Sequence, residues 1–136
     1  MTHSAELSIQ SRERTEFIKL DGQIAKIVAD SGMRDGVCHV FVLHTTAGLT
    51  INEGADPSVM HDIGAKLAEL APREGRYAHA DAERNADSHI KAALIGSSVT
   101  LPVRNGAPVL GTWQSIFLCE FDGPRRRQVM ISVIGA

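Results

Sequence analysis

Seven polar side chains stand at the ends or on the faces of otherwise apolar runs: His44, Asn52, Glu53, His79, His89, Gln114 and Glu120. An imidazole, amide or carboxylate taken out of water costs free energy unless it hydrogen bonds, pairs or binds something, so the set reads as a site. The histidines allow two chemistries. With Glu53 or Glu120, His44, His79 and His89 would make a nitrogen and oxygen metal centre with an open position, and zinc or magnesium is the divalent ion such a centre would take. Alternatively they hydrogen bond a substrate, since His79 and His89 lie ten residues apart and not at the i, i+4 spacing of the zinc helix signature. His44 also opens a Thr45-Thr46-Ala47-Gly48 loop whose hydroxyls and backbone N–H groups can hold an anion.

Glu120 is the carboxylate whose surroundings are most demanding. Strand alternation from Trp113 puts Gln114, Ile116, Leu118, Glu120 and Asp122 on one face, with Trp113, Ser115, Phe117, Cys119 and Phe121 on a core face. An ionised Glu120 beside Ile116 and Leu118 needs a cation or hydrogen-bond donors. It either pairs with one of Arg125, Arg126 and Arg127 across the next turn or faces the His44 pocket as a working group. The arginine run itself reads as a solvated turn or as a phosphate clamp, since a guanidinium binds phosphate bidentately. His39 reads as a satisfied core or interface histidine, and His61 as exposed.

The elements that must position these groups follow from periodicity. Ala5, Leu7 and Ile9 alternate with polar neighbours as a strand, which Thr15 to Leu20 would continue or pair with. Asp21 can cap a helix carrying Ile24, Ile27 and Val28 and ending at Gly32. Val37 to Leu43 is apolar on both faces and reads as a central strand that delivers His44. Leu49-Thr50-Ile51 is extended and delivers Asn52 and Glu53; Asp56-Pro57 then starts a helix whose stripe is Met60, Ile63, Leu67 and Leu70.

Pro72 to Arg84 lacks periodicity, carries His79, Asp81 and Glu83, and is the candidate functional loop. Asp87 or Ser88 can cap a helix with His89 in its first turn, ending at Gly96. Val99, Leu101 and Val103 alternate as a strand before an Asn105-Gly106 turn. Trp113 to Asp122 and Val129 to Ile134 read as an antiparallel pair linked by Gly123-Pro124. The fold class is therefore α+β: one compact domain over residues 1–136, with a mixed or mainly antiparallel sheet and two or three packed helices.

Composition limits the partners. The 136-residue chain suits a single core. Fourteen Lys and Arg against sixteen Asp and Glu give a net charge of -2, which offers no global attraction for nucleic acid or an acidic membrane. Cys38 and Cys119 lie in apolar runs and read as buried, reduced thiols, which fits the cytoplasm. Met1 to Gln10 has no signal-peptide core, and no run approaches membrane-spanning length.

The runs His44-Thr45-Thr46-Ala47-Gly48-Leu49-Thr50-Ile51-Asn52-Glu53, Asp56-Pro57, Ser98-Val99-Thr100-Leu101-Pro102-Val103, Gly111-Thr112-Trp113-Gln114 and Glu120-Phe121-Asp122-Gly123-Pro124-Arg125 resemble, in this order, the YjbQ-like family, often labelled secondary thiamine-phosphate synthase. The resemblance spans nearly the whole chain. It implies a compact α+β domain assembling as a homotrimer, with the His44, His79 and His89 pocket near a subunit boundary. It implies weak thiamine-phosphate synthase activity, joining hydroxymethylpyrimidine diphosphate to thiazole phosphate with loss of pyrophosphate. The positions it carries over are His44, Asn52, Glu53, His79, His89, Trp113, Gln114 and Glu120.

In that reading His44, Asn52, Glu53, Gln114 and Glu120 are the catalytic set, and Thr45, Thr46, Trp113 and Arg125 contact the phosphorylated substrate. A cation, histidinium or arginine near the departing pyrophosphate would lower the barrier. Trp113 could stack on a pyrimidine or pack in the core. The competing readings are a hydrolase in which a histidine-bound ion activates water with Glu53 or Glu120 as base, and a non-catalytic oligomeric module that binds a small ligand or metal.

Overall fold

Valine, isoleucine, leucine and phenylalanine at alternate positions make most of the strands, and three short amphipathic segments make the helices. The computed structural model describes residues 1–79 and 83–136. In chain order the elements are β1 (Thr2–Gln10), β2 (Glu16–Lys19), α1 (Asp21–Ser31), β3 (Gly36–Val42), β4 (Ala47–Glu53), α2 (Pro57–Leu70), α3 (Ala86–Ile95), β5 (Ser98–Arg104), β6 (Ala107–Pro108), β7 (Gln114–Glu120) and β8 (Arg126–Gly135). They form a five-stranded sheet in the order β1-β8-β3-β5-β6 and a three-stranded sheet in the order β2-β7-β4. Every pairing among the described residues is antiparallel.

The inner faces of the two sheets close on one core with α1. Ile24 and Val28 of α1 meet Val40 and Val42 of β3, Leu49 of β4, Ile116 and Leu118 of β7, and Ile131 and Val133 of β8. A second cluster covers the other face of β7, where Phe117, Cys119 and Phe121 pack with Met60 and Leu67 of α2 and Ala92 of α3. β7 is thus buried on both faces, from Ser115 to Glu120. Each sheet holds one buried free thiol: Cys38 in β3 and Cys119 in β7. Burial pushes Cys38 up to about 11 and Cys119 up to about 12. No helix among the described residues is long and apolar enough to cross a membrane.

Local signals set several boundaries as the sequence predicts. Asp56 caps α2 by accepting from the Ser58 N–H at 2.9 Å, and Pro57 opens the helix. Gly32 ends α1 with φ 73°. Asn105 and Gly106, at φ 53° and 77°, turn β5 into β6.

Other expectations need correction. β2 pairs with β7 and not with β1. β7 and β8 are not a hairpin of one sheet: the two edges of β7 are taken by β2 and β4, so the Gly123-Pro124 connection carries the chain across to the five-stranded sheet, where β8 joins β1 and β3. The strand containing Val37 to Val42 and that containing Gln114 to Glu120 therefore belong to different sheets. β3 is central in its sheet, but only one face is buried; Val37 and Phe41 are exposed on the other. Asp21 does not cap α1. Its carboxylate instead accepts the Ile116 N–H at 2.7 Å and ties the helix to β7. Nor do Asp87 and Ser88 cap α3: Asp87 takes Arg14 and Lys91, and the Ser88 hydroxyl donates to the Phe121 carbonyl.

Candidate functional site: a histidine cleft between two sheets

Where β3 runs out, its ladder with β8 continues for one more bond, from the Leu43 N–H to the Gln128 carbonyl at 3.1 Å. The Gln128 N–H then donates to Nε2 of His44 at 2.8 Å, so the imidazole takes the place of a strand carbonyl. This bond fixes the ring's protons. Nε2 spends its lone pair on a main-chain donor, and the neutral ring must carry its hydrogen on Nδ1. Protonating Nε2 would set two donors against each other. Burial, followed by the charge of Arg127, lowers the His44 pKa against the smaller opposing pull of Glu120, in the same direction. His44 is therefore a neutral ring whose remaining polar group is a donor.

Behind it lies a carboxylate with four hydrogen bonds. Glu120 is fully buried. It accepts from Nε of Arg127 at 2.8 Å, from a second Arg127 nitrogen, from the Ser11 hydroxyl at 2.7 Å and from the Asp122 N–H at 2.9 Å. Burial pushes its pKa up, but the bonds from Arg127, Ser11 and Asp122 outweigh burial and hold it below the usual carboxylate value. Arg127 also donates to the Thr46 hydroxyl at 2.8 Å. Of the two sequence alternatives for Glu120, the structure builds the ion pair, with Arg127 as partner.

From the other side come His79, residues 83–89 and the turn after β7. Asn85 is buried, and its amide nitrogen donates to Glu83 at 3.1 Å and to Asp122 at 2.9 Å. Its oxygen therefore faces Nε2 of His79 at 2.9 Å, which makes that nitrogen the donor. The His79 and His89 rings meet edge to face with centroids 5.3 Å apart. Arg125 bonds Asp122 at 3.0 Å and Glu83 at 3.2 Å, with its side chain 43% exposed. Asp81 lies outside the described residues.

These groups enclose a cleft of about 430 Å³, lined by His44, Thr45, Thr46, His79, His89 and Arg125 among others. The three histidines thus share one cavity despite their separation in sequence. In this structure the three rings are not arranged as a metal centre. The described residues contain no group of three His, Cys, Asp or Glu side chains arranged to share an ion. His44 would also have to give up its bond to Gln128 before either nitrogen could ligate in the usual neutral form. Thr46 lines the cleft with its hydroxyl already taken by Arg127, whereas Thr45 is exposed.

The rest of the expected catalytic set is elsewhere. The β4–β7 register runs from Ala47 opposite Glu120 to Glu53 opposite Gln114, which puts Asn52, Glu53 and Gln114 at the far end of the pair, about 20 Å along the strands at ~3.4 Å per residue. There each side chain serves its own loop. Asn52 accepts from the Glu53 N–H at 2.8 Å, Glu53 from the Ala55 N–H at 2.7 Å, and Gln114 from the Gly111 N–H at 2.8 Å. Trp113 precedes β7 in a turn and is 64% exposed, so the alternation of the strand does not extend to it and it is not a core residue. Asn85, which the sequence reading did not single out, ties His79 and Glu83 to the turn after β7 on one side of the cleft; its one signal is an amide just ahead of a helix.

The profile of the UPF0047 YjbQ-like proteins matches residues 5–136. A UPF0047 protein of Methanocaldococcus jannaschii is 46% identical over 127 residues, 93% of this chain and 91% of that protein. The crystal structure of a YbjQ-like protein of unknown function from Sulfolobus solfataricus superposes with a TM-score of 0.95 at 33% identity, covering 100% of this chain and 99% of the other. A YjbQ/UPF0047 protein of Clostridium acetobutylicum gives 0.92 at 45% identity, covering 96% and 99%. The chain belongs to the YjbQ-like family.

Proposed function

We propose, from the premise that this is a YjbQ-like chain, that it is a weak thiamine-phosphate synthase, joining hydroxymethylpyrimidine diphosphate to thiazole phosphate with release of pyrophosphate. The observation that carries the reading is the set of donor-bearing residues in the histidine cleft: Arg125, His44 and Thr45 line one space. As the carbon–oxygen bond to the diphosphate breaks, its electron pair goes to the leaving oxygen, and preorganised donors stabilise that charge. The thiazole nitrogen supplies the pair for the new carbon–nitrogen bond. No proton is transferred, so the reaction needs no base, and this suits a cleft where Glu120 is saturated and His44 is locked neutral. A diphosphate carries magnesium with it, and the carboxylates that line the cleft, Asp122 and Glu83, would meet that ion only by exchanging bonds they now make to Asn85 and Arg125.

The hydrolase reading has less support. Activating water requires a base, and of the two carboxylates proposed, Glu120 is sealed behind Arg127 and Glu53 is at the other end of the strand pair.

We also propose a homotrimer and a cytoplasmic location. Support for assembly comes from the outer face of the five-stranded sheet, where Val37, Phe41, Leu43 and Ile134 are exposed. Leu43 also lines the cleft, so a second copy seated on this face would border it. Sedimentation at micromolar concentration should give three chain masses; a monomer would rule the assembly out.

The functional test is formation of thiamine phosphate from the two purified substrates with magnesium. Slow turnover is expected, reduced at least tenfold by Arg125→Ala. No product at high enzyme concentration would reject the assignment.

A further inference from the structure

A second recess, of about 750 Å³, lies between β2 and α2 and shares no lining residue with the histidine cleft. Its floor is apolar, built from Phe17 of β2, Met60 of α2 and Phe117 of β7. Its rim carries three carboxylates, Glu13, Glu16 and Glu53, against the single ammonium of Lys19, which is turned to the Gly54 carbonyl. Among the described residues none of the three carboxylates takes part in an ion pair. Glu16 accepts the N–H groups of Arg12 and Glu13, and Glu53 those of Ala55 and Asp56.

We propose that this recess binds an organic cation, with a ring-sized apolar body on Phe17, Phe117 and Met60 and its ammonium toward Glu13, Glu16 and Glu53. The volume falls in the range of roughly 300–1,000 Å³ at which proteins hold small molecules. The floor rewards burial of the apolar body, and the half-buried ring of Phe17 favours a cation over a neutral group of the same shape. The excess of uncompensated carboxylates at the rim repels an anion of that shape. Size, floor and charge thus select the same class of ligand.

Amide NMR of the full chain, titrated with benzyltrimethylammonium, benzyl alcohol and benzoate, tests this. The ammonium should shift the amides of Phe17, Lys19, Gly64 and Phe117 saturably in the millimolar range, about fivefold or more tighter than the alcohol. Benzoate should give no saturable shift. A Glu13→Gln, Glu16→Gln double variant keeps the acceptors for the loop while removing two of the three charges, and should at least halve the preference for the ammonium over the alcohol. Ala65→Trp, which narrows an exposed wall of the recess, should weaken both. Equal binding of the three probes overturns the proposal, as do shifts confined to the histidine cleft. So does a recess whose amides are already protected by self-association.

Discussion

The two ends of the β4–β7 pair carry similar polar residues and use them in opposite ways. At one end Glu120 and Thr46 are buried and spend their hydrogen bonds on Arg127, a residue of the other sheet. At the other, Asn52, Glu53 and Gln114 bond main-chain N–H groups within three residues of themselves. The first arrangement joins distant parts of the chain and frames a cavity. The second shapes two surface loops. Polar residues inside an apolar pattern thus have two origins, and burial with a partner far along the chain is what separates a site framework from a loop support.

The largest effect expected from this contrast is at Arg127. Arg127→Met leaves Glu120 charged and unpaired in the core, and should cost about 3–5 kcal/mol in urea unfolding. Glu120→Gln strands the guanidinium and should also destabilise strongly. The double variant should recover part of the loss, because a neutral pair needs no mutual compensation. Additive losses would mean that the two residues do not act as a pair.

Acid should expose the same asymmetry. The folded-state pKa of Glu120 is depressed below its ordinary value of 4.5. The stability it contributes is therefore present above that value and is lost as pH falls through the folded pKa. Asp87 is held down in the same sense: its own burial opposes the shift, and its bonds to Arg14 and Lys91 overcome it. Unfolding midpoints should fall below about pH 4.5, and the Glu120→Gln, Arg127→Met double variant should show a shallower fall.

At the far end the effects should be smaller. Asn52→Ala and Gln114→Ala each remove one loop hydrogen bond and should cost about 0.5–1.5 kcal/mol, with turnover in the cleft unchanged. A loss of turnover with intact stability would show that this end meets the cleft of a neighbouring copy. The smallest effect belongs to Trp113→Ala, expected within about 0.5 kcal/mol because the ring is exposed.

Much of this was legible in the sequence wherever a rule is local. Asp56-Pro57, Gly32 and Asn105-Gly106 act on their immediate neighbours, and the structure uses them as their chemistry dictates. For Glu120 the sequence left a pairing with one of three adjacent arginines open beside a working role in the His44 pocket, and alternation could not choose between them without knowing that β8 lies in the other sheet. Strand partners were the weak point. β2 and β8 are ordered by contacts between residues up to a hundred or more apart, which periodicity does not encode. Convergence of the three histidines was read from their positions at element ends, whereas Asn85, the amide that joins His79 to Asp122, gave almost no signal.

The two thiols give each sheet a chemical clock. With their pKa values near 11 and 12, Cys38 and Cys119 offer almost no thiolate to an alkylating reagent while folded. Labelling therefore records each opening of the strand that holds the cysteine. Equal rates at both positions would mean that the sheets part in one cooperative event. Faster capture at Cys119 would mean that the three-stranded sheet and its helices peel away first, carrying Glu120 out of reach of Arg127.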